Sequence, residues 1–283
     1  MMKTYGISIV LIVLLTLTAC GTDTSHPIVT VPVSLPIYQH IVVVVEENRD
    51  FEDIFQSANA PYLNQLVSQG AYFTHSYAVT HPSQPNYIAL FSGSTDGVSN
   101  DSCVQSLPGP SLGAQILAAG GTFIGYSESL PAAGYTGCIA NEYYRKHNPW
   151  VNFSAIPADS NQPFSAFPTD FNQLPLLSFV VPNVQNDMHD GSVAQGDAWL
   201  KTNLSAYAQW AQQNDSLLVI TWDEADLGFT NQIMTIFYGA HIKPGAYSED
   251  ITHYTVLRTL EQLLGLPPIN EAKNTSFLMD IWA

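Results

Sequence analysis

The sequence is poor in positive charge. Its 283 residues include 8 Lys and Arg against 24 Asp and Glu, which gives a formal net charge of −16. A chain this acidic does not attract nucleic acid or an anionic membrane surface by general electrostatics. We therefore expect no nucleic-acid partner, and no feature indicates an obligate protein partner. An anionic substrate has to meet local cations, and a bound metal ion is the simplest source of them.

Long apolar runs are scarce, and the longest one lies near the N terminus. It follows Lys3 and leads to the sequence L-T-A-C, which ends at Cys20. A short apolar segment after a basic start is typical of an export signal and is too short to span a bilayer. Its end resembles a bacterial lipobox, which implies a lipid on the Cys20 sulfur; the alternative is an ordinary secretory signal with a chance cysteine. We therefore predict a lipoprotein signal at 1–19, a tether at 20–37, and a lipid-anchored location at the outer membrane or cell surface, with secretion as the alternative.

Cysteine is also rare, since only Cys103 and Cys138 follow Cys20. In the oxidising cell envelope, two remaining cysteines most simply form one disulfide. A metal pair is the weaker alternative, because no C-x-x-C spacing or further cysteine is available.

Apolar runs of strand length alternate with segments of helical pattern. The predicted strands are Ile41–Val45, 174–182, 216–222 and 233–240. The predicted helices are Pro61–Gln69, Ile88–Phe91, Ser111–Ala119, Asp197–Gln213 and His253–Leu264. This alternation predicts an α/β domain at 38–283, with a central, mainly parallel sheet sandwiched between helices.

Acids and amides follow three of the apolar runs. Glu47 and Asn48 follow the first run, residues 183–190 the second, and Asp223 and Glu224 the third. Ligands of parallel sheets gather at the carboxyl ends of strands, and crowded carboxylates repel each other unless a cation lies among them. Oxygen ligands suit Mg²⁺, Ca²⁺ or Mn²⁺, and Zn²⁺ in a carboxylate-rich catalytic site is a further alternative. Taken singly, each cluster is equally consistent with a solvated loop or a helix cap.

The stretch T-H-P-S-Q-P-N-Y, residues 80–87, places Ser83 between two prolines. Proline fixes its own φ and restricts the residue before it, so this turn is stiff. One interpretation is an ordinary helix start. The other is a metal-bound serine that attacks phosphorus, with the Asn86 amide donating to a phosphate oxygen beside the free N–H groups of the helix.

Four motifs together resemble a known family. They are E-E-N-R-D-F at 46–51, H-P-S-Q-P-N-Y at 81–87, N-D-M-H-D-G at 186–191 and T-W-D-E at 221–224. In this order they resemble the phosphoesterase family of bacterial acid phosphatases and phospholipases C, within the alkaline phosphatase-like superfamily. The resemblance implies a sheet flanked by helices and a metal-dependent phosphomonoesterase reaction through a phosphoserine.

The resemblance also assigns roles by position. Glu47 and Asn48 match the family's metal-binding pair, Ser83 its nucleophile, and Asp223 and Glu224 its later acidic pair. The family often has two aspartates at that last pair, so Glu224 is a departure that bears on the number and identity of the metals.

Further residues are expected to contact substrate. Asp187 and His189 match the segment that lines the family's site, and we assign His189 to protonation of the leaving alkoxide or to stabilisation of the transferred phosphate. His81 is expected either to bind phosphate or to cap its turn.

The basic run Arg145, Lys146 and His147 stands out in a chain with so few cations. It is expected either to bind the phosphate of a monoester or to be a solvated loop face. The disulfide would brace the segment that carries it.

The resemblance, together with these features, implies an acid phosphatase that hydrolyses phosphate monoesters, with phosphoinositides among its expected substrates. The alternatives are a phospholipase C-like phosphodiesterase and, in another class, a non-catalytic, metal-stabilised, lipid-anchored binding protein.

Overall fold

The apolar run that begins at residue 41 lies at the centre of an eight-stranded sheet in the computed structural model of the protein. This strand, β1 (His40–Glu46), pairs in parallel with β7 (Leu177–Val181) and β8 (Ser216–Trp222). The structure describes residues 35–104, 106–226 and 230–283. The predicted signal peptide, Cys20 and residues 20–34 of the predicted tether lie outside the described residues.

The sheet is mainly parallel. Its strand order is β10-β2-β9-β8-β1-β7-β3-β6, and only β9 runs antiparallel to its neighbours β2 and β8. The strands not yet given are β2 (Ala71–Tyr77), β3 (Phe123–Ser127), β6 (Asn161–Pro163), β9 (Thr235–Gly239) and β10 (Gly245–Thr252), and a separate hairpin is formed by β4 (Ile139–Ala140) and β5 (Tyr143–Tyr144). The helices are α1 (Phe51–Ile54), α2 (Pro61–Gln69), α3 (Ser83–Ser92), α4 (Leu112–Ala118), α5 (Val193–Ala211) and α6 (His253–Leu263).

Helices cover both faces of the sheet, which explains why β1 is apolar throughout. Val43 and Val45 pack in a core with residues of α3, α4 and α6, whereas Val42 and Val44 pack in a second core with residues of α2 and α5. Successive strand residues point to opposite faces, so a strand buried on both faces loses the polar alternation of a surface strand. The predicted α/β sandwich is confirmed.

Several elements differ from the sequence-based expectation, since β3, β6 and the hairpin of β4 and β5 were not predicted. The helix expected at Ile88–Phe91 begins at Ser83, so the serine belongs to the helix itself. The strands β2 and β10 were not predicted, because their polar residues break the apolar pattern and much of β10 is exposed.

The described residues form one compact unit. Within the part of the chain that the structure describes, none of the helices combines the length and the apolar character needed to cross a bilayer.

Candidate active site

Ser83 is the first residue of α3 and is almost fully buried. Its Oγ lies 2.9 Å from Glu224 Oε1 and 3.1 Å from Glu47 Oε2. The three side chains come from α3 and from the segments after β8 and β1, so the fold brings three of the predicted motifs to one point. Ser83 is thus held where a neighbouring carboxylate can accept its hydroxyl proton.

The other two predicted metal ligands join the same group. The backbone N–H of Asn48 donates to Asp223 Oδ1 at 3.2 Å. In the orientation that satisfies its amide, the Asn48 side chain donates from Nδ2 to Glu47 Oε2 at 2.9 Å. Asn48 has a φ of 39°, a left-handed conformation that asparagine tolerates better than most residues. The four predicted metal ligands therefore lie together, next to Ser83.

Asn86 holds the turn that presents Ser83. Its Oδ1 accepts from the backbone N–H groups of Val79 and Thr80, and its Nδ2 donates to the carbonyls of Thr80 and Pro82. Both amide hydrogens are used within the turn, so the structure does not support the predicted contact with phosphate. Asn86 instead positions the nucleophile turn, a role that the sequence interpretation missed.

His147 lies at the centre of the site, although the sequence interpretation placed it in a phosphate-binding run. Its Nε2 is 3.0 Å from Glu47 Oε1 and its Nδ1 is 3.4 Å from Asp187 Oδ2. Its ring stacks on Tyr87 of α3, with the ring centroids 5.3 Å apart and an angle of 14° between the planes. The run of basic residues was therefore a signal for the site, but within the run it is His147 that lies between Glu47 and Asp187.

Glu47, His147 and Asp187 form a buried group whose ligand atoms all lie within 4.8 Å of one another. Glu47 Oε1, His147 Nε2, Asp187 Oδ2 and Asp223 Oδ2 are buried and lack a hydrogen-bond partner. Buried polar atoms are normally paired, so four such atoms in one place need an explanation. A divalent cation would satisfy them, and the mixture of imidazole and carboxylate ligands suits Zn²⁺ or Mn²⁺ as well as harder ions. The residues present fit a metal ion.

The pKa values of these buried groups also indicate a place for a positive charge among the acids. Burial, followed by neighbouring carboxylates, raises the pKa of Glu47 and of Asp223 well above the usual range. Burial raises the pKa of Asp187 to about 8, although the backbone N–H of His189 opposes this shift. Burial also lowers the pKa of the His147 imidazole. A bound cation would reverse the shifts of the acids, because it favours their ionised form.

Two further predicted residues lie at the solvent side of the site. His81 contacts Glu224 Oε2 through Nδ1, and its side chain is about half exposed. The His189 ring lies 5.8 Å from that of His147, and its Nδ1 is 2.7 Å from Asp190 Oδ1. Both histidines are partly exposed and lie at the edge of the group of acids.

Arg145 and Lys146 differ in their surroundings. The buried Arg145 guanidinium donates to Asn152 Oδ1 and to the carbonyls of Thr136 and Val151, so it holds its own loop. These contacts do not support the predicted role of Arg145 in substrate binding. Lys146 Nζ instead forms an ion pair with Asp101 Oδ2 at 2.7 Å.

The predicted disulfide between Cys103 and Cys138 is confirmed. It joins the segment after α3 to the hairpin of β4 and β5. The backbone N–H of Arg145 donates to the Cys138 carbonyl, so the disulfide also borders the basic run.

Comparison with known proteins identifies the family. A family model described as the Phosphoesterase family matches residues 53–267. The chain belongs to the Phosphoesterase family. The expected hydrolase acting on phosphate esters is thereby confirmed. Glu47 and Asn48 precede the matched range of this phosphoesterase, whereas Ser83, Asp187, Asp223 and Glu224 lie within it.

Relatives of this phosphoesterase carry phosphatase names. The chain is 54% identical over 252 residues to a phosphatidylinositol-3-phosphatase of Mycobacterium tuberculosis, covering 88% of this chain and 84% of the relative. It is 32% identical to a phosphate-repressible acid phosphatase of Penicillium chrysogenum, covering 82% of this chain and 60% of the fungal protein. The chain thus spans about six tenths of the length of that fungal relative.

Solved structures confirm the fold of this phosphoesterase. A protein in the alkaline phosphatase superfamily from Vibrio parahaemolyticus superposes with a TM-score of 0.60 at 12% identity, covering 86% of this chain and 72% of that one. A lipoteichoic acid synthase from Listeria monocytogenes gives 0.54 at 11% identity, covering 83% and 74%. The alkaline phosphatase-like fold expected from the resemblance is confirmed.

Proposed function

We propose that this phosphoesterase is a metal-dependent phosphomonoesterase in which Ser83 is the nucleophile. One observation carries the proposal. The Ser83 hydroxyl lies at the start of a helix, 2.9 Å from one carboxylate and 3.1 Å from another, beside four buried ligand atoms without partners.

In the proposed first half-reaction, Ser83 Oγ attacks phosphorus and transfers its proton to Glu224. The Ser83 oxygen–phosphorus bond forms, the bond from phosphorus to the alcohol oxygen breaks, and His189 gives its proton to the leaving alkoxide. In the second half-reaction, water attacks the phosphoserine and gives its proton to His189. The Ser83 oxygen then leaves phosphorus and takes back the proton from Glu224, so phosphate is released and the enzyme is restored.

Two sets of residues would hold the metal. Glu47, Asn48, Asp223 and Glu224 surround Ser83, and His147 and Asp187 extend the group on the far side of Glu47. When bound, a divalent cation would lower the pKa of a coordinated hydroxyl and offset charge on the phosphate oxygens. In this scheme, Tyr87 keeps the His147 imidazole in place by stacking on it. The hydrogen bonds of Asn86 to its own turn, here called the Asn86 clamp, keep Ser83 in place.

We further propose that phosphoinositides are among the substrates. The support is the name of the mycobacterial relative, which matches this chain over most of both lengths.

The predicted N-terminal signal and Cys20 would place the enzyme on a bacterial envelope membrane. Mass spectrometry of the mature N terminus tests this, since an unlipidated Cys20 in purified envelopes would contradict the anchor.

The direct test is hydrolysis of p-nitrophenyl phosphate after chelation, with single metals added back. We expect metal-restored turnover in the wild type and none in Ser83→Ala, and an acid-quenched reaction should carry phosphate on Ser83. Ser68→Ala is the matched control, because Ser68 is an exposed serine of α2 whose hydroxyl bonds only locally.

The outcomes separate the parts of the proposal. Turnover retained in Ser83→Ala would contradict the nucleophile assignment, and turnover unaffected by complete chelation would contradict the metal. Faster hydrolysis of bis-p-nitrophenyl phosphate than of the monoester would favour the phosphodiesterase alternative.

A further inference from the structure

A cavity of about 300 Å³ lies beside the site and takes no part in the proposed reaction. It is lined by Asp101, Cys103, Cys138, Ile139, Tyr144 and Lys146. Its volume is at the lower end of the range for small-molecule sites. A larger cavity of about 500 Å³, between Phe55 and Gly245, has no acidic or basic side chain in its lining and borders none of the site residues.

The wall of the smaller cavity contacts residues of the catalytic group or next to it. Its lining residue Asp101 accepts a hydrogen bond from the backbone N–H of Gln84, the residue after Ser83. Its lining residue Tyr144 stacks on the His147 ring, with centroids 6.0 Å apart and planes 20° apart. The cavity therefore lies against residues that adjoin Ser83 and His147.

The walls of the cavity are mainly apolar. The disulfide, the Ile139 side chain and the Tyr144 ring supply carbon and sulfur surface, and the charges of Lys146 and Asp101 are paired with each other. Ile139 is 59% exposed, although a large aliphatic side chain gains free energy when it is covered. A second phosphate would find no unpaired cation among the six lining residues, whereas the face of a ring would cover the isoleucine and lie against the tyrosine.

We propose that this cavity is the leaving-group subsite and that it binds the ring face of a cyclic or aryl alcohol. The proposal rests on the proposed function, because it places the alcohol of a phosphate monoester relative to Ser83. It makes Ile139 a specificity-determining residue that contacts substrate, and it predicts a preference for ring-bearing monoesters over acyclic ones.

The test compares p-nitrophenyl phosphate with glycerol 2-phosphate in the wild type and in Ile139→Ser. The substitution is neutral, so it leaves the field on the phosphate unchanged, and the residue is exposed, so the fold should tolerate it. We expect kcat/KM for the aryl ester to fall about fivefold, mainly through KM, while the value for glycerol 2-phosphate stays unchanged. Ile139→Leu should keep kcat/KM for the aryl ester at the wild-type value.

The matched control is Ile37→Ser, which removes another exposed isoleucine, 85% exposed in the structure. It should change neither substrate. A loss for Ile139→Ser that is equal for both substrates, or no loss for either, would overturn the subsite. Either result would leave the proposed function standing, since that depends on Ser83→Ala and on metal add-back.

A binding measurement supplies an independent check that needs no leaving group. Phenylphosphonate and methylphosphonate are compared as competitive inhibitors. The ratio of their inhibition constants should favour the phenyl compound in the wild type and should move about fivefold toward parity in Ile139→Ser. An unchanged ratio would contradict the subsite even if the variant has lost turnover.

Discussion

The nucleophile turn, residues 79–86, and the basic turn, Arg145–His147, use their polar side chains in opposite ways. In the nucleophile turn, Asn86 bonds to the backbone around it and thereby fixes Ser83 against the acids. In the basic turn, three adjacent side chains separate: Arg145 holds its loop, Lys146 pairs with Asp101, and His147 reaches Glu47 and Asp187. Polar residues that are close in sequence therefore act together in the nucleophile turn, whereas those of the basic turn have separate surroundings.

Backbone geometry explains this difference. Residues Arg145–His147 form one turn of 3₁₀ helix, in which successive side chains point about 120° apart. Three consecutive charges on such a turn have three different surroundings. The two turns are nevertheless connected, because Asp101 accepts from the Gln84 backbone and from Lys146.

The largest expected effect concerns the clamp of the nucleophile turn. Asn86→Ala leaves buried backbone groups unpaired, so we expect the free energy of unfolding to fall by about 3 kcal/mol and turnover to fall with it. Chemical denaturation and steady-state kinetics measure both. Asn64→Ala is the matched control, because Asn64 also makes four bonds to backbone groups, but away from the site. If Asn86→Ala lost only stability, as we expect for Asn64→Ala, the clamp would have no role in positioning Ser83.

The next effect separates His147 from its neighbours. His147→Gln removes the imidazole from the group with Glu47 and Asp187, and we expect affinity for Zn²⁺ or Mn²⁺ to fall by about 100-fold or more. Isothermal titration calorimetry measures it. His241→Gln, at an exposed histidine paired with Asp215, should leave the affinity unchanged. Equal affinities for wild type and His147→Gln would remove this residue from the metal site.

The two cations of the basic turn should respond differently. Arg145→Lys loses hydrogen bonds that one ammonium group cannot replace, and we expect a loss of about 2 kcal/mol in unfolding free energy with KM unchanged. Lys146→Met should change stability by less than about 1 kcal/mol and raise KM for the monoester. A raised KM in folded Arg145→Lys would instead support the predicted contact of Arg145 with substrate.

The smallest effect tests the connection between the turns. Burial tends to raise the pKa of Asp101, but hydrogen bonds from Lys146 and from the Gln84 N–H outweigh it and hold the pKa below its ordinary value. A lowered folded-state pKa stabilises the protein above the unfolded pKa, near 3.9, and the contribution is lost as pH falls through the folded value. Because Asp101 is partly exposed, Asp101→Asn should cost less than about 1 kcal/mol near neutral pH, and this cost should shrink as the pH falls below the unfolded pKa. A cost independent of pH in denaturation curves would contradict this origin.

Much of the fold could be predicted because its signals are local. β1 and β8 are unbroken apolar runs, and α2 and α6 have clear helical patterns, so their bounds agree closely with expectation. β2 and β10 were missed because pairing, rather than composition, makes them strands. The Ser83 group could be anticipated because each motif follows an apolar run or precedes a helix.

The sequence by itself determined the two-sided sheet, the acids at the carboxyl ends of its strands, the cysteine pair and the stiff turn that carries Ser83. These depend on side-chain period and on the restricted torsions of proline, which act over a few residues. Only the tertiary structure decided that His147 joins Glu47 and Asp187, that Arg145 holds its own loop, and that Ile139 and Tyr144 line a cavity beside the nucleophile. Those contacts join residues distant in the chain, so their geometry is set by how the whole domain packs.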